Sequence, residues 1–130
     1  MVIDQGDGFA EFWRERHLAS LTTLRRDGTP HVVPVGVTLD MATGTARIIT
    51  SGGSVKARQV RAAGPQGVPV AVCQFEGPRW STLEGLAVVK DDPASVADAV
   101  ARYALRYRTP RENPARVVIE IQVARILGNV

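Results

Sequence analysis

Cysteine is nearly missing from this sequence. Cys73 is the single one among 130 residues, so neither a disulfide framework nor a cysteine-based metal site can be assembled within the chain. It sits in the run Val68-Pro69-Val70-Ala71-Val72-Cys73, where a small buried hydrophobe is the expected reading. No apolar stretch approaches the roughly 20 residues that a membrane-spanning helix requires. The start Met1-Val2-Ile3-Asp4-Gln5-Gly6-Asp7 lacks a basic-then-apolar leader pattern, so a cytoplasmic protein with no membrane partner is expected. Aromatic residues are scarce at 5%, and of the 16 basic residues only two are lysines. Nucleic-acid modules usually interleave basic groups with exposed aromatics, so nucleic acid is not the expected partner. A net charge of +3 suits a polyanionic small molecule equally well.

Metal ligation is not expected either. The acidic residues show no ligand spacing, and His17 and His31 have no partner at helical distance. Both histidines stand at strand entries, and no Ser-His-Asp or Cys-His arrangement can be built from them. What is present is an ordinary globular composition, 45% apolar and 22% charged, of a length that suits one domain over residues 1–130.

The pattern of elements is mainly β. Phe9, Phe12 and Trp13 share a helical face over Phe9 to Arg16, with Asp7 as the expected N-cap. Strands are expected from His17 to Arg25 and from His31 to Leu39, joined at Asp27-Gly28. After the turn Asp40-Met41-Ala42-Thr43-Gly44, a third strand of a meander runs from Thr45 to Thr50. A short helix over Ser54 to Ala63 is stopped by Gly64-Pro65. Two longer strands, Val68 to Phe75 and Trp80 to Val89, flank Glu76-Gly77-Pro78-Arg79. Asp92-Pro93 opens a helix whose face carries Val96, Val100, Tyr103, Ala104 and Tyr107, and Val117 to Val123 forms the last strand. Without strict strand-helix alternation, these elements predict an antiparallel sheet curled into a small barrel with peripheral helices. Such a barrel fills its own interior, so a sizeable ligand must lie on its surface or between two copies. A homodimer is the economical expectation.

Chemistry is most legible at Thr50-Ser51-Gly52-Gly53-Ser54-Val55-Lys56. Two glycines let the backbone approach an anion, the hydroxyls cap and donate, and Lys56 adds charge at a helix start, where free N–H groups and the dipole favour phosphate. A plain capped helix after a Gly-Gly turn explains the same residues. Arg79-Trp80, at a strand entry, reads either as a positive donor beside a stacking surface or as a turn arginine and a core tryptophan. Arg102, Arg106, Arg108, Arg111 and Arg116 form the densest positive charge. They can receive a carboxylate-bearing ligand or simply complement a helix C-terminus. In the absence of catalytic side-chain sets, a bound organic cofactor is the expected source of chemistry.

Over nearly its whole length the chain resembles the split β-barrel superfamily of pyridoxamine phosphate oxidase-like proteins. The stretch Leu21 to Gly36 is similar to the opening hairpin of the deazaflavin-dependent B group of actinobacteria and mycobacteria. The stretches Ile49 to Ala57, Gly77 to Gly85 and Arg106 to Glu120 resemble the F420-dependent biliverdin reductases of that group. The resemblance implies an FMN-binding-type split barrel acting as a homodimer, with two interface sites built from both subunits. It implies that Lys56 and the Thr50 to Ser54 turn hold the phosphate of reduced F420, that backbone around Pro34, Val35 and Gly36 lines the deazaflavin ring, and that Trp80 comes from the partner. It also implies hydride transfer to the central methine carbon of biliverdin, a tetrapyrrole, with a proton gained at a neighbouring pyrrole nitrogen. Arg79 would then hold the tetrapyrrole or deliver that proton, and Arg108 and Arg111 would meet propionates or the cofactor's polyglutamate tail. Two alternatives belong beside it: an FMN enzyme of the pyridoxamine phosphate oxidase type, and a non-catalytic carrier of F420 or a tetrapyrrole.

Overall fold

The computed structural model describes residues 2–130. Three helices, α1 (Asp7–Arg14), α2 (Val55–Ala62) and α3 (Pro93–Arg106), surround seven strands. These are β1 (Ala19–Leu24), β2 (Pro30–Val35), β3 (Thr38–Asp40), β4 (Thr45–Ser51), β5 (Val68–Glu76), β6 (Arg79–Lys90) and β7 (Arg116–Gly128). They form one sheet in the order β2-β1-β5-β6-β7-β4-β3, with every pairing antiparallel. Alternate residues of β1, β5 and β7, among them Leu21, Val70, Val72, Ile119, Ile121 and Val123, point into the core with Ile48 and Leu83. Phe9, Phe12 and Trp13 of α1 are all at most 3% exposed, so the aromatic face expected from its spacing seals one side of the barrel. Among the described residues, no helix is long and apolar enough to cross a membrane.

The principal departure from the sequence expectation lies in the run from His31 to Leu39. It reads as one strand of a meander, but it is broken at Gly36-Val37. Its first half pairs with β1 and its second half with β4, so the halves form the two opposite edges of the sheet. The barrel is thus joined across its split by a covalent bend and not by a ladder. Side chains explain the break. The Val37 N–H donates to the Tyr107 hydroxyl at 3.1 Å, and the Val37 carbonyl accepts from Arg106 Nη1 at 2.5 Å. Backbone groups that a strand partner would have taken are satisfied from the end of α3. Gly36 permits it, since a Cβ there would stand 2.8 Å from the Tyr103 ring.

Two smaller corrections have local causes. The N-cap of α1 is Gly6, whose φ of 88 suits glycine, so Asp7 sits in the first turn, where its charge favours the dipole. The last strand continues past Val123 to Gly128. Glu84 faces Arg125 and Gly85 faces Val123 across a register shift, which leaves Ala124 as a bulge residue. The bulge breaks the alternation that marks a strand in sequence. Cys73 proves partly exposed on the outer face, opposite the buried Val72 and Gln74.

Gly85 lies against this bulge, and a Cβ there would be 2.0 Å from the Gln122 carbonyl oxygen. Replacement by alanine forces two backbones apart. Gly85→Ala is expected to cost about 3 kcal/mol of stability, read as a fall in the denaturant midpoint with an unchanged slope.

Candidate functional site

The anion-type turn follows directly from β4. Ser54, with φ −65 and ψ 155, caps α2 by accepting from the Ala57 N–H at 3.3 Å, and the Thr50 hydroxyl donates to the Ser54 hydroxyl at 3.1 Å. The two glycines differ in purpose. Gly52 donates its N–H to the Ala115 carbonyl at 2.8 Å, and a Cβ on it would press on that oxygen at 3.2 Å and on Val117 at 3.3 Å. Gly52 is therefore small because β7 begins beside it. A Cβ on Gly53 would meet nothing within 4 Å, so Gly53 alone leaves the backbone open from outside. Among the described residues, the Gly53, Val55 and Lys56 N–H groups have no backbone partner, as expected at a helix start.

That helix start opens on a cleft of about 340 Å³. Pro34, Val35 and Gly36 of edge strand β2 form one wall, Ile49, Thr50, Ser51 and Lys56 a second, and Tyr103, Pro110, Asn113 and Arg116 a third. The structure thus gathers the predicted residues Pro34, Val35, Gly36, Thr50, Ser51 and Lys56 from distant parts of the chain. Lys56 is half-buried, and loss of solvent pulls its ammonium pKa below the ordinary lysine value. Among the described residues it forms no ion pair. The Asn113 amide donates to the Ser51 hydroxyl at 2.8 Å, and Arg116 Nη2 donates to the Arg111 carbonyl at 2.6 Å, so the loop after α3 is tied to the turn. Asn113, Pro110 and Tyr103 had only weak signals in sequence: the first two belong to a polar loop, and Tyr103 reads as a helix-packing residue.

Other predicted residues lie elsewhere. Arg79 Nη2 is 3.2 Å from Glu15 Oε1 and 3.5 Å from Glu76 Oε2, and its guanidinium lies 4.8 Å over the Phe12 ring. His17 Nε2 meets the same carboxylates at 2.9 and 3.0 Å. Hydrogen bonds from His17, then from Arg79, hold the Glu15 carboxyl below its usual range. Trp80 is 40% exposed, so it is not a core tryptophan. Arg108 lines a second cleft with Arg16, His17, Leu18, Tyr103 and Tyr107, and Arg111 lies exposed on the loop. Within one chain, then, Arg79, Trp80, Arg108 and Arg111 do not line the Lys56 cleft.

Comparison with known proteins bears on this arrangement directly. The family model for pyridoxamine 5'-phosphate oxidase matches residues 6–129. The chain belongs to the pyridoxamine 5'-phosphate oxidase family. Within that family it is 53% identical over 123 residues to an F420H(2)-dependent biliverdin reductase of Mycobacterium tuberculosis, spanning 95% of this chain and 87% of the relative. Two solved structures share the fold. A conserved hypothetical protein from Mycobacterium tuberculosis superposes with a TM-score of 0.78 at 20% identity, covering 98% of this chain and 85% of its own. A protein described as an F420 reductase gives 0.73 at 22% identity, covering 94% and 98%.

The cleft wall at Gly36 depends on Tyr107, whose hydroxyl donates to the His17 carbonyl at 2.6 Å and accepts from Val37. Tyr107→Phe leaves both backbone groups unsatisfied. The expected loss is about 1–3 kcal/mol, with faster amide exchange at Val37 than elsewhere in the sheet.

Proposed function

We propose that this chain is an F420H2-dependent oxidoreductase that reduces a tetrapyrrole, biliverdin to bilirubin. The observation that carries the reading is Lys56: a half-buried ammonium without an ion pair among the described residues, lining the cleft at the start of α2, where the Val55 and Lys56 N–H groups have no backbone partner. A half-buried cation without a counterion favours binding of an anion, and helix N-termini suit phosphate. The donor set fits a phosphorylated cofactor, and the 53% identity to a protein named for F420H(2) and biliverdin selects the deazaflavin.

In this reading, Thr50 to Ser54 and Lys56 hold the phosphate. The β2 edge at Pro34, Val35 and Gly36 orients the ring, kept in place by the tyrosines behind Gly36. When bound, reduced F420 supplies a hydride for the central methine carbon, and the proton that completes the reduction is taken up at a pyrrole nitrogen. Arg79 orients the tetrapyrrole through the donors left over from Glu15 and Glu76; a guanidinium stays protonated at working pH, which suits holding better than delivering a proton. Arg108 and Arg111 are the proposed contacts for carboxylates.

Arg79 and Trp80 would reach the cleft from a second subunit. Supporting a homodimer, the outer face of the sheet exposes Phe75 (70%), Leu86 (48%), Leu127 (41%) and Trp80 (40%), with Phe75 directly opposite Trp80. Exposed apolar patches of this kind mark association surfaces. Residues 1–130 would act as one cofactor-binding domain, and a cytoplasmic location accords with an unpaired Cys73. FMN in the same cleft is the second reading, favoured by the family match, and titration with F420 and FMN side by side separates the two.

Anaerobic mixing of the protein with reduced F420 and biliverdin should produce bilirubin absorbance. Binding without turnover would replace the reductase reading with that of a carrier. Lys56→Ala should raise the dissociation constant for F420 about tenfold or more, and an unchanged constant would refute the phosphate assignment. Because burial lowers the Lys56 pKa, the ammonium is present at low pH and lost as pH rises through that lowered value. Wild-type affinity for F420 should weaken accordingly on the alkaline side, while Lys56→Ala shows a flatter profile.

A further inference from the structure

A second cleft of about 440 Å³ adjoins the Lys56 cleft, and Tyr103 lines both. Its other walls come from the segment after α1, at Arg16, His17 and Leu18, and from the end of α3, at Tyr107 and Arg108. No carboxylate lines it. The carboxylates that its His17 meets, Glu15 and Glu76, also hold Arg79. Arg16 and Arg108 are both exposed, and among the described residues neither makes a hydrogen bond or an ion pair. Nor does the Tyr103 hydroxyl make a hydrogen bond, whereas that of Tyr107 is committed to His17 and Val37. Burial raises the Tyr107 phenol, partly offset by the charges of Arg106 and Arg16, so the Arg16 charge is felt inside the cleft.

We propose that this cleft is the carboxylate subsite for the substrate, with Arg16 and Arg108 receiving the two propionates of the tetrapyrrole. The assignment rests on the biliverdin reading above and sharpens it. Arginine is the side chain best matched to a carboxylate, through paired N–H donors, and the cleft offers two unpaired arginines for two carboxylates. Biliverdin carries its propionates on the two inner rings, and the methine carbon that is reduced bridges those rings. Anchoring the propionates beside Tyr103 therefore holds that carbon next to the cofactor cleft. Arg16 thus joins Arg108 at the propionates, and Arg111, which lines neither cleft, is left for the carboxylates of the cofactor's polyglutamate tail.

The test is equilibrium binding to protein loaded with oxidised F420, where no turnover occurs. Biliverdin and its dimethyl ester are compared on the wild type, Arg16→Gln, Arg108→Gln and the double variant. Each single variant should weaken biliverdin binding about tenfold, the ester should bind the wild type as weakly as biliverdin binds the double variant, and the ester should not distinguish the proteins. Equal binding of biliverdin and ester to the wild type, or no binding of biliverdin, would overturn the subsite. So would a parallel loss of F420 affinity in the variants, which would assign the cleft to carboxylates of the cofactor. Carboxylate-dependent binding without reduction in the anaerobic assay would support the subsite while removing the reductase reading, so the two failures are distinguishable.

Discussion

The backbone at Gly36-Val37 leaves the sheet, and the end of α3 satisfies the groups this frees. Arg106 donates to the carbonyls of Val37 and Glu15 and to the side-chain oxygen of Gln74. Gln74 in turn donates to the Phe12 carbonyl at 2.8 Å. One guanidinium thus closes the C-terminal end of α1, holds a fully buried glutamine on β5, and fixes the bend that separates β2 from β3. The Trp13 and Tyr107 rings, 5.7 and 5.2 Å from its carbon, supply the remaining surroundings. In a low-dielectric setting such a network is costly if any member is missing, so the geometry of the split and the orientation of the β2 edge are set together.

Charge is distributed to the same end. Arg47 is largely buried, yet its Nε and Nη1 make no hydrogen bond; it is balanced by Asp40, Asp98 and Glu120 at 3.6 to 3.7 Å. Arg102 joins this cluster through Asp98 and Asp40. These charges clamp α3 to β3, β4 and β7. By contrast, Lys56, Arg16 and Arg108 are left without acidic partners, and all three line clefts that meet at Tyr103.

Much of this was legible from residues alone. The aromatic spacing of α1, the Ser54 cap, the Asp92-Pro93 helix start and the Gly77-Pro78 hairpin all rest on interactions within a few positions in sequence, and all are present. The Thr50 to Lys56 turn was legible for the same reason. The split of the run from His31 to Leu39 was not, because Tyr107 and Arg106 act from about 70 residues away. The extension of β7 was hidden by the bulge opposite Gly85, which disrupts the period on which strand assignment depends.

By itself, then, the sequence determined the local elements, the mainly β class and the capped turn that starts α2, since caps, turns and periodicity are short-range properties. Only the tertiary structure decided which glycine is open to solvent and which packs against β7, that Tyr103, Asn113 and Arg116 complete the Lys56 cleft, and that Arg79 is bound to Glu15 and Glu76 at a distance from it. These outcomes depend on contacts between segments far apart along the chain, where burial and the competition for hydrogen-bond partners, not residue type, set what a side chain can do.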